Sequence, residues 1–267
     1  MGRGELTEGD RVMDRNPFKI DGKTIVVTGA SRGLGRGLAL AFARAGANLV
    51  LASRSLSELE GLAGEIRDLG REVLAVKTDV TDKKDVQRLV ELSVAKFECP
   101  DVLFNNAGMN ISGLLSEDVT EEQFETILGC NLKGMFLCGT TFAKVMISRR
   151  RGKIINMSSI LGERVWPRTS IYCTSKGALN QLTKTWAADW GGYNITVNAL
   201  APSFVITPLN ERLFAQPEFR QKVLSHLPIG RIGAIEDIIG PAIFLASEAS
   251  NYMTGHILTV DGGWTCL

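Results

Sequence analysis

Short apolar runs alternate with longer mixed stretches along most of the chain. The runs at 23–28 (K-T-I-V-V-T), 48–52 (N-L-V-L-A), 72–77, 102–105, 153–157, 195–200 and 257–260 are rich in Val, Ile and Leu and show no in/out alternation. Such runs belong to strands buried on both faces, as in a parallel sheet covered by helices. Between them, apolar residues recur at helical spacing over 34–45 and 56–69, and long helices are expected over roughly 121–149, 172–190 and 236–247. Repeated β-α-β units with right-handed crossovers give a doubly wound sheet of about seven strands, so the predicted class is α/β. Residues 1–18 are polar and patternless and read as a flexible tail. No linker, repeat or low-complexity tract divides 19–267, which reads as one domain.

Composition narrows the function. A net charge of +1 gives no global field for nucleic acid or an anionic membrane surface, so neither partner is expected. The run Arg149-Arg150-Arg151 falls where a helix should end, before Gly152, a place the helix dipole favours for cations. The five cysteines form no C-x-x-C pair, and with only two histidines no metal-ligand spacing exists, so no metal site is expected. Unpaired thiols point to a reducing compartment. The first twenty residues carry eight charges and no apolar core, unlike a secretory signal, and no long apolar run is available to span a bilayer. A cytoplasmic protein is expected.

Directly after the first predicted strand comes Thr28-Gly29-Ala30-Ser31-Arg32-Gly33-Leu34-Gly35. Glycines there permit a tight turn and close approach of a pyrophosphate, and the following helix offers free N–H groups. The strand–turn–helix context is what gives such a string its meaning. Its spacing, T-G-x-x-x-G-x-G, resembles that of the short-chain dehydrogenase/reductase family, and the resemblance spans most of 20–263. It implies a Rossmann-type fold and a nicotinamide cofactor. NAD-selective sites of this type place an acidic residue after the second strand, yet here the chain reads Ser53-Arg54-Ser55. Arg54 and Arg32 can instead pair with a 2′-phosphate, which favours NADP(H), with NAD(H) as the alternative. The resemblance further assigns Asp79 and Val80 to the adenine and Asn106, Ala107 and Gly108 (in N-N-A-G) to support of the cofactor pocket. It assigns Pro202, Val205 and Thr207 to the nicotinamide carboxamide, although Ser203 stands where the family has glycine.

Tyr172 and Lys176 stand one helical turn apart, which sets the two side chains on one face about 5–6 Å apart at Cβ. A tyrosine ionises near pH ~10 in water. A nearby ammonium favours the phenolate and makes the phenol usable as a general acid or base. The pair matches the family's Y-x-x-x-K, whose lysine also binds the nicotinamide ribose and tunes the tyrosine. Ser159, thirteen residues earlier and beyond the strand at 153–157, matches the serine that orients the substrate oxygen; Ser158 beside it reads as a turn former. Asn131, in N-L-K-G, matches the position that holds a proton-relay water.

The resemblance implies an oxidoreductase that moves a hydride between NADP(H) and a secondary alcohol or ketone. Within the family, L-P-I-G-R-I-G and the ending G-H-I-L-T-V-D-G-G are similar to sugar-acid dehydrogenases of the gluconate 5-dehydrogenase kind and to 3-oxoacyl-(acyl-carrier-protein) reductases. A 3-oxoacyl thioester is thus the alternative substrate. A regulator without catalysis and a lyase or epimerase are the alternative functions. The segment 208–227 reads as a substrate lid. Met109, Asn110, Ile160, Glu163, Arg164, Trp166 and Phe204 are pocket candidates, with Arg164 able to meet a substrate carboxylate. Trp186 and Trp190 read as core or subunit contact, His226 as lid surface and His256 as structural. A homotetramer through the helices carrying Asn131 and Tyr172 is implied by the family.

Overall fold

The computed structural model describes residues 16–111, 113–207 and 210–267, so most of the expected tail and the first two lid residues lie outside the described residues. The strands are β1 (Thr24–Thr28), β2 (Asn48–Ser53), β3 (Val73–Lys77), β4 (Val102–Asn105), β5 (Gly152–Met157), β6 (Ile195–Pro202) and β7 (Ile257–Val260). All pair in parallel, in the order β3-β2-β1-β4-β5-β6-β7. The order reverses between β1 and β4, and ligands of such sheets bind in the crevice beyond the strands' carboxyl ends at that point.

Successive strand residues face opposite sides, which gives two apolar layers. Ile25 and Val27 of β1 and Leu49 and Leu51 of β2 pack against α1 (Gly33–Arg44), α2 (Leu56–Asp68) and α9 (Ile235–Ala246). Val26 and Val50 face α3 (Lys83–Phe97), α5 (Met135–Arg149) and α6 (Ser170–Trp190) on the other side. Burying both layers explains why the strands lack alternation. Trp186, 3% exposed, lies in the second layer and stacks on Trp190 at 4.9 Å.

Two expectations need correction. Helix α3 was not anticipated, although Asp82 caps it by accepting from the N–H groups of Lys84 and Asp85, and Val86, Leu89, Val90 and Ser93 bury one stripe. The helix expected over 121–149 is present without a break, but its bonding changes midway. It runs as α4 (Glu121–Leu128), a π-helical turn over Gly129–Gly134, and then α5. Arg150 caps α5 in the left-handed conformation, with φ of 51°, so the basic run does sit at a helix end. The last residues of the expected tail are docked: the Pro17 carbonyl accepts from Ala249 N–H at 3.0 Å, and the Phe18 ring meets Phe244 at 6.2 Å. After β6 come two short helices, α7 (Glu211–Phe214) and α8 (Pro217–Leu224). Among the described residues no helix is long and apolar enough to cross a membrane.

Candidate active site

The chain leaves β1 at Thr28 and turns over Gly29–Gly33 into α1. Gly29 has φ of 67°, in the left-handed region, and a Cβ on Gly35 would stand 2.2 Å from the Gly29 carbonyl oxygen. Only glycine allows this closure. Asn106 laces the turn: its Nδ2 donates to the carbonyls of Thr28 and Gly29 at 2.8 and 3.3 Å. Thr28 Oγ1 in turn accepts from the N–H groups of Asn106 and Ala107 at 2.9 and 3.0 Å. The start of α1, from Arg32 through Gly33 and Leu34, has no side-chain cap and no acidic residue in its first turn. Its free N–H groups and positive dipole end suit a phosphate. A glycine-tight turn against an uncapped helix fits a dinucleotide pyrophosphate.

No carboxylate stands at the end of β2. There Ser53 Oγ accepts from Ser55 N–H at 3.2 Å. Arg32 and Arg54 have no ion pair among the described residues, whereas Arg36 is tied to Glu65. Asp79, past β3, accepts from Thr81 N–H and Oγ1–H at 2.9 and 2.8 Å. Burial pushes its pKa up, but those bonds and the Arg54 charge outweigh it and hold the carboxyl below its ordinary value. Val80 is buried in the same layer as Ala107. On the other side of the crevice, Ser203 N–H donates to the Val260 carbonyl at 3.1 Å. Its backbone is not among the left-handed residues, so serine replaces glycine there without strain. Val205 and Thr207 are buried, and Asn210 braces both by accepting from Thr207 N–H and donating to the Val205 carbonyl at 2.7 and 2.8 Å.

Tyr172 and Lys176 occupy the first turns of α6 on one face. Lys176 is 3% exposed, and its Nζ lies 5.6 Å from the Tyr172 ring centroid and donates to the Met157 carbonyl at 2.7 Å. Burial pushes its pKa down to about 8, with the Cys130 thiol acting weakly the other way. Burial likewise raises the Tyr172 phenol, a hydrogen bond with the Ser159 side chain pulls it back, and Cys173 adds a small rise. Two serines adjoin β5, and their bonding separates them. Ser158 spends its hydroxyl on Asn180 Oδ1 at 2.6 Å. The Ser159 hydroxyl oxygen accepts from Leu161 N–H at 3.2 Å.

Asn131 is fully buried in the π turn. Its Oδ1 accepts from Met109 N–H at 2.8 Å, and its Nδ2 donates to the Met109 carbonyl at 2.8 Å and to Ser175 Oγ at 3.1 Å. Ser175 then donates to the Tyr172 carbonyl at 2.7 Å. The amide thus ties the exit of β4 to α6, and most of its capacity is used by the protein itself. Thr28 and Ser175 were not singled out as site residues from the sequence, and Met109 was read only as a pocket candidate. A hydroxyl at a strand end and one between Tyr172 and Lys176 were the available signals.

On the substrate side, Arg164 is exposed and its guanidinium donates one bond to the Thr265 carbonyl. Glu163 and Asn110 are exposed, and Met109 and Trp166 are half-buried. Trp264, also unanticipated, is 5% exposed and packs with Ile160, Leu161, Phe214 and Val223 in an apolar cluster against which Tyr172 and Phe204 rest. His226 remains exposed but stacks on Trp264 at 4.7 Å and 18°. His256 is exposed too, its backbone bonded to Asn198 and Ala199.

A family model described as enoyl-(acyl carrier protein) reductase matches residues 29–265. A 3-oxoacyl-(acyl-carrier-protein) reductase of Thermotoga maritima is 38% identical over 247 residues, covering 92% of this chain and 99% of the relative. The gluconate 5-dehydrogenase of Gluconobacter oxydans is 37% identical over 248 residues, covering 93% and 96%. Among solved structures, a gluconate 5-dehydrogenase from Burkholderia cenocepacia in complex with NADP and tartrate superposes with a TM-score of 0.90 at 35% identity, covering 94% of this chain and 98% of the other.

Proposed function

The chain belongs to the short-chain dehydrogenase/reductase family, and on that premise we propose that it is an NADP(H)-dependent enzyme in which Tyr172 exchanges the proton as alcohol and ketone interconvert. That it is an oxidoreductase of the alcohol/ketone type follows from its relatives. The observation that carries the proton assignment is the half-buried Tyr172 side chain, with the Lys176 ammonium 5.6 Å from its ring centroid and the Ser159 side chain beside its phenol.

A bound nicotinamide would supply the hydride. The chain's own residues do the rest. The glycine turn from Gly29 to Gly35, with Ser31 and Arg32, receives the pyrophosphate. Ser53, Arg54 and Arg32 receive the 2′-phosphate, and that neither arginine is held in an ion pair among the described residues supports NADP(H) over NAD(H). Asp79 and Val80 flank the adenine, Asn106, Ala107 and Gly108 line the crevice floor, and Pro202, Val205 and Thr207 meet the carboxamide. Ser159 orients the substrate oxygen toward Tyr172. Lys176 has three N–H donors and spends one on Met157, which leaves two for the ribose and a relay water. Asn131 keeps that corner in shape by clamping Met109. The segment 208–227 acts as the lid.

Two substrate directions come with the relatives, a sugar acid and a 3-oxoacyl thioester. Assembly as a homotetramer through α5 and α6 is supported by Phe136, 45% exposed beside Trp186. A cytoplasmic setting fits the five unpaired cysteines. The test is a spectrophotometric screen of NADPH and NADH against keto-sugar acids, ketones and acyl thioesters. Tyr172→Phe should lose turnover while binding cofactor; unchanged turnover would refute the proton assignment.

A further inference from the structure

The turn that leaves β6 is held from two sides. Asn210 grips it at Val205 and Thr207. On the other side Gly233 pairs with Val205 in a parallel bridge outside the sheet. Gly233 N–H donates to the Phe204 carbonyl at 3.1 Å, and Ile206 N–H donates to the Gly233 carbonyl at 2.9 Å. Gly233 has no side chain to anchor it, so its neighbours set its position. Ile232 is buried in the apolar cluster on which Tyr172 rests. Ala234 begins α9, and Asp237 caps that start by accepting from Ala234 N–H at 2.8 Å. The same carboxylate receives Nη1 and Nη2 of Arg231, each at 2.7 Å. Residues 231–237 are thereby closed into a loop with Gly233 inside it. The hydrogen bonds from Arg231 hold the Asp237 pKa down at about 2, with the Ala234 N–H adding to them, so the pair stays ionised at neutral pH.

An exposed ion pair adds little to the stability of a fold. Arg231 and Asp237 keep 55% and 32% of their side-chain surface open, while α9 is held by the buried Ile238, Ala242, Leu245 and Ala246. What the two-pronged contact adds is direction, since an arginine fork on a carboxylate fixes angle as well as distance. Ile235, the first residue of α9, presses on α1: a Cβ on Gly37 would stand 2.7 Å from its Cγ2. The amino end of α9 therefore ties the helix that opens at the glycine turn to the backbone around Val205.

We propose that the Arg231–Asp237 pair is a positioning element for the nicotinamide half of the crevice, acting through Gly233 on the Val205 backbone. The inference rests on the cofactor reading above, in which Val205 and Thr207 meet the carboxamide. Calorimetric titration of the full chain compares NADP+ with 2′,5′-ADP, which carries the adenosine and 2′-phosphate end but no nicotinamide. Asp237→Asn should weaken NADP+ binding by about tenfold and leave 2′,5′-ADP within about twofold of wild type. Arg231→Met, which spares the Ala234 cap, should act in the same direction, and Arg231→Lys should recover part of the loss. Unimpaired 2′,5′-ADP binding also shows that a variant is folded. Equal losses on both ligands, or unchanged NADP+ affinity in both variants, would overturn the inference. A wild type that prefers NAD+ would break the NADP(H) preference alone; the pair is then judged by NAD+ against 5′-AMP, with the same losses expected. A wild type that binds neither dinucleotide would break the cofactor reading and the inference with it.

Discussion

The two ends of the crevice are built by different means. At the cofactor end the chain closes tightly on itself: Gly35 faces the Gly29 carbonyl, and four hydrogen bonds join Thr28 and Gly29 to Asn106 and Ala107. At the substrate end, rings from distant segments lean on one another with few hydrogen bonds, and the carboxyl-terminal stretch completes the wall. Directional bonds tolerate little displacement, while apolar packing tolerates shape-conserving change. The contrast teaches where selectivity can drift: the cofactor end is held by geometry, and the substrate end by volume.

The sharpest break would come at the seam between them. Tyr172→Phe should lower turnover by about a thousandfold with cofactor affinity kept, measured by steady-state kinetics and cofactor titration. Gly35→Ala puts a methyl against the Gly29 carbonyl, and cofactor affinity should fall by about a hundredfold, read by fluorescence titration. A loss as small as that from a ring substitution at the other end would erase the contrast. Arg54→Ala removes a charge-assisted partner for the 2′-phosphate, so the NADPH/NADH preference should fall by about tenfold or more, read as the ratio of kcat/KM. The smallest effect concerns pH. Ser159 holds the phenol pKa down against burial, so its loss in Ser159→Ala raises that pKa further. Alcohol oxidation needs the phenolate and climbs with pH, so its rising limb should move to higher pH. A limb that stays in place would mean that Ser159 does not act on Tyr172.

Legibility in the sequence follows the same division. The strands could be read because a doubly covered sheet leaves unbroken Val, Ile and Leu runs, and the glycine turn because its spacing states its geometry. Helix α3 could have been found from Asp82 followed by Val86, Leu89 and Val90. The π turn could not, since a helical period carries no mark of one inserted residue. Nor could the ring cluster, which joins residues some hundred positions apart, 166 to 264. The bond from Arg164 to the Thr265 carbonyl is of that kind as well.

The wide turn at Gly129–Gly134 is also a matter of phase. Removing one residue there would restore ordinary helical bonding but rotate everything downstream by about 100°. Phe142, Ala143 and Met146, which α5 now buries against the sheet, would swing toward water, and Asn131 would release Met109. Local relief would therefore be opposed from both ends at once, by the core on one side and the crevice on the other. The segment is a place where length, more than residue identity, is under constraint.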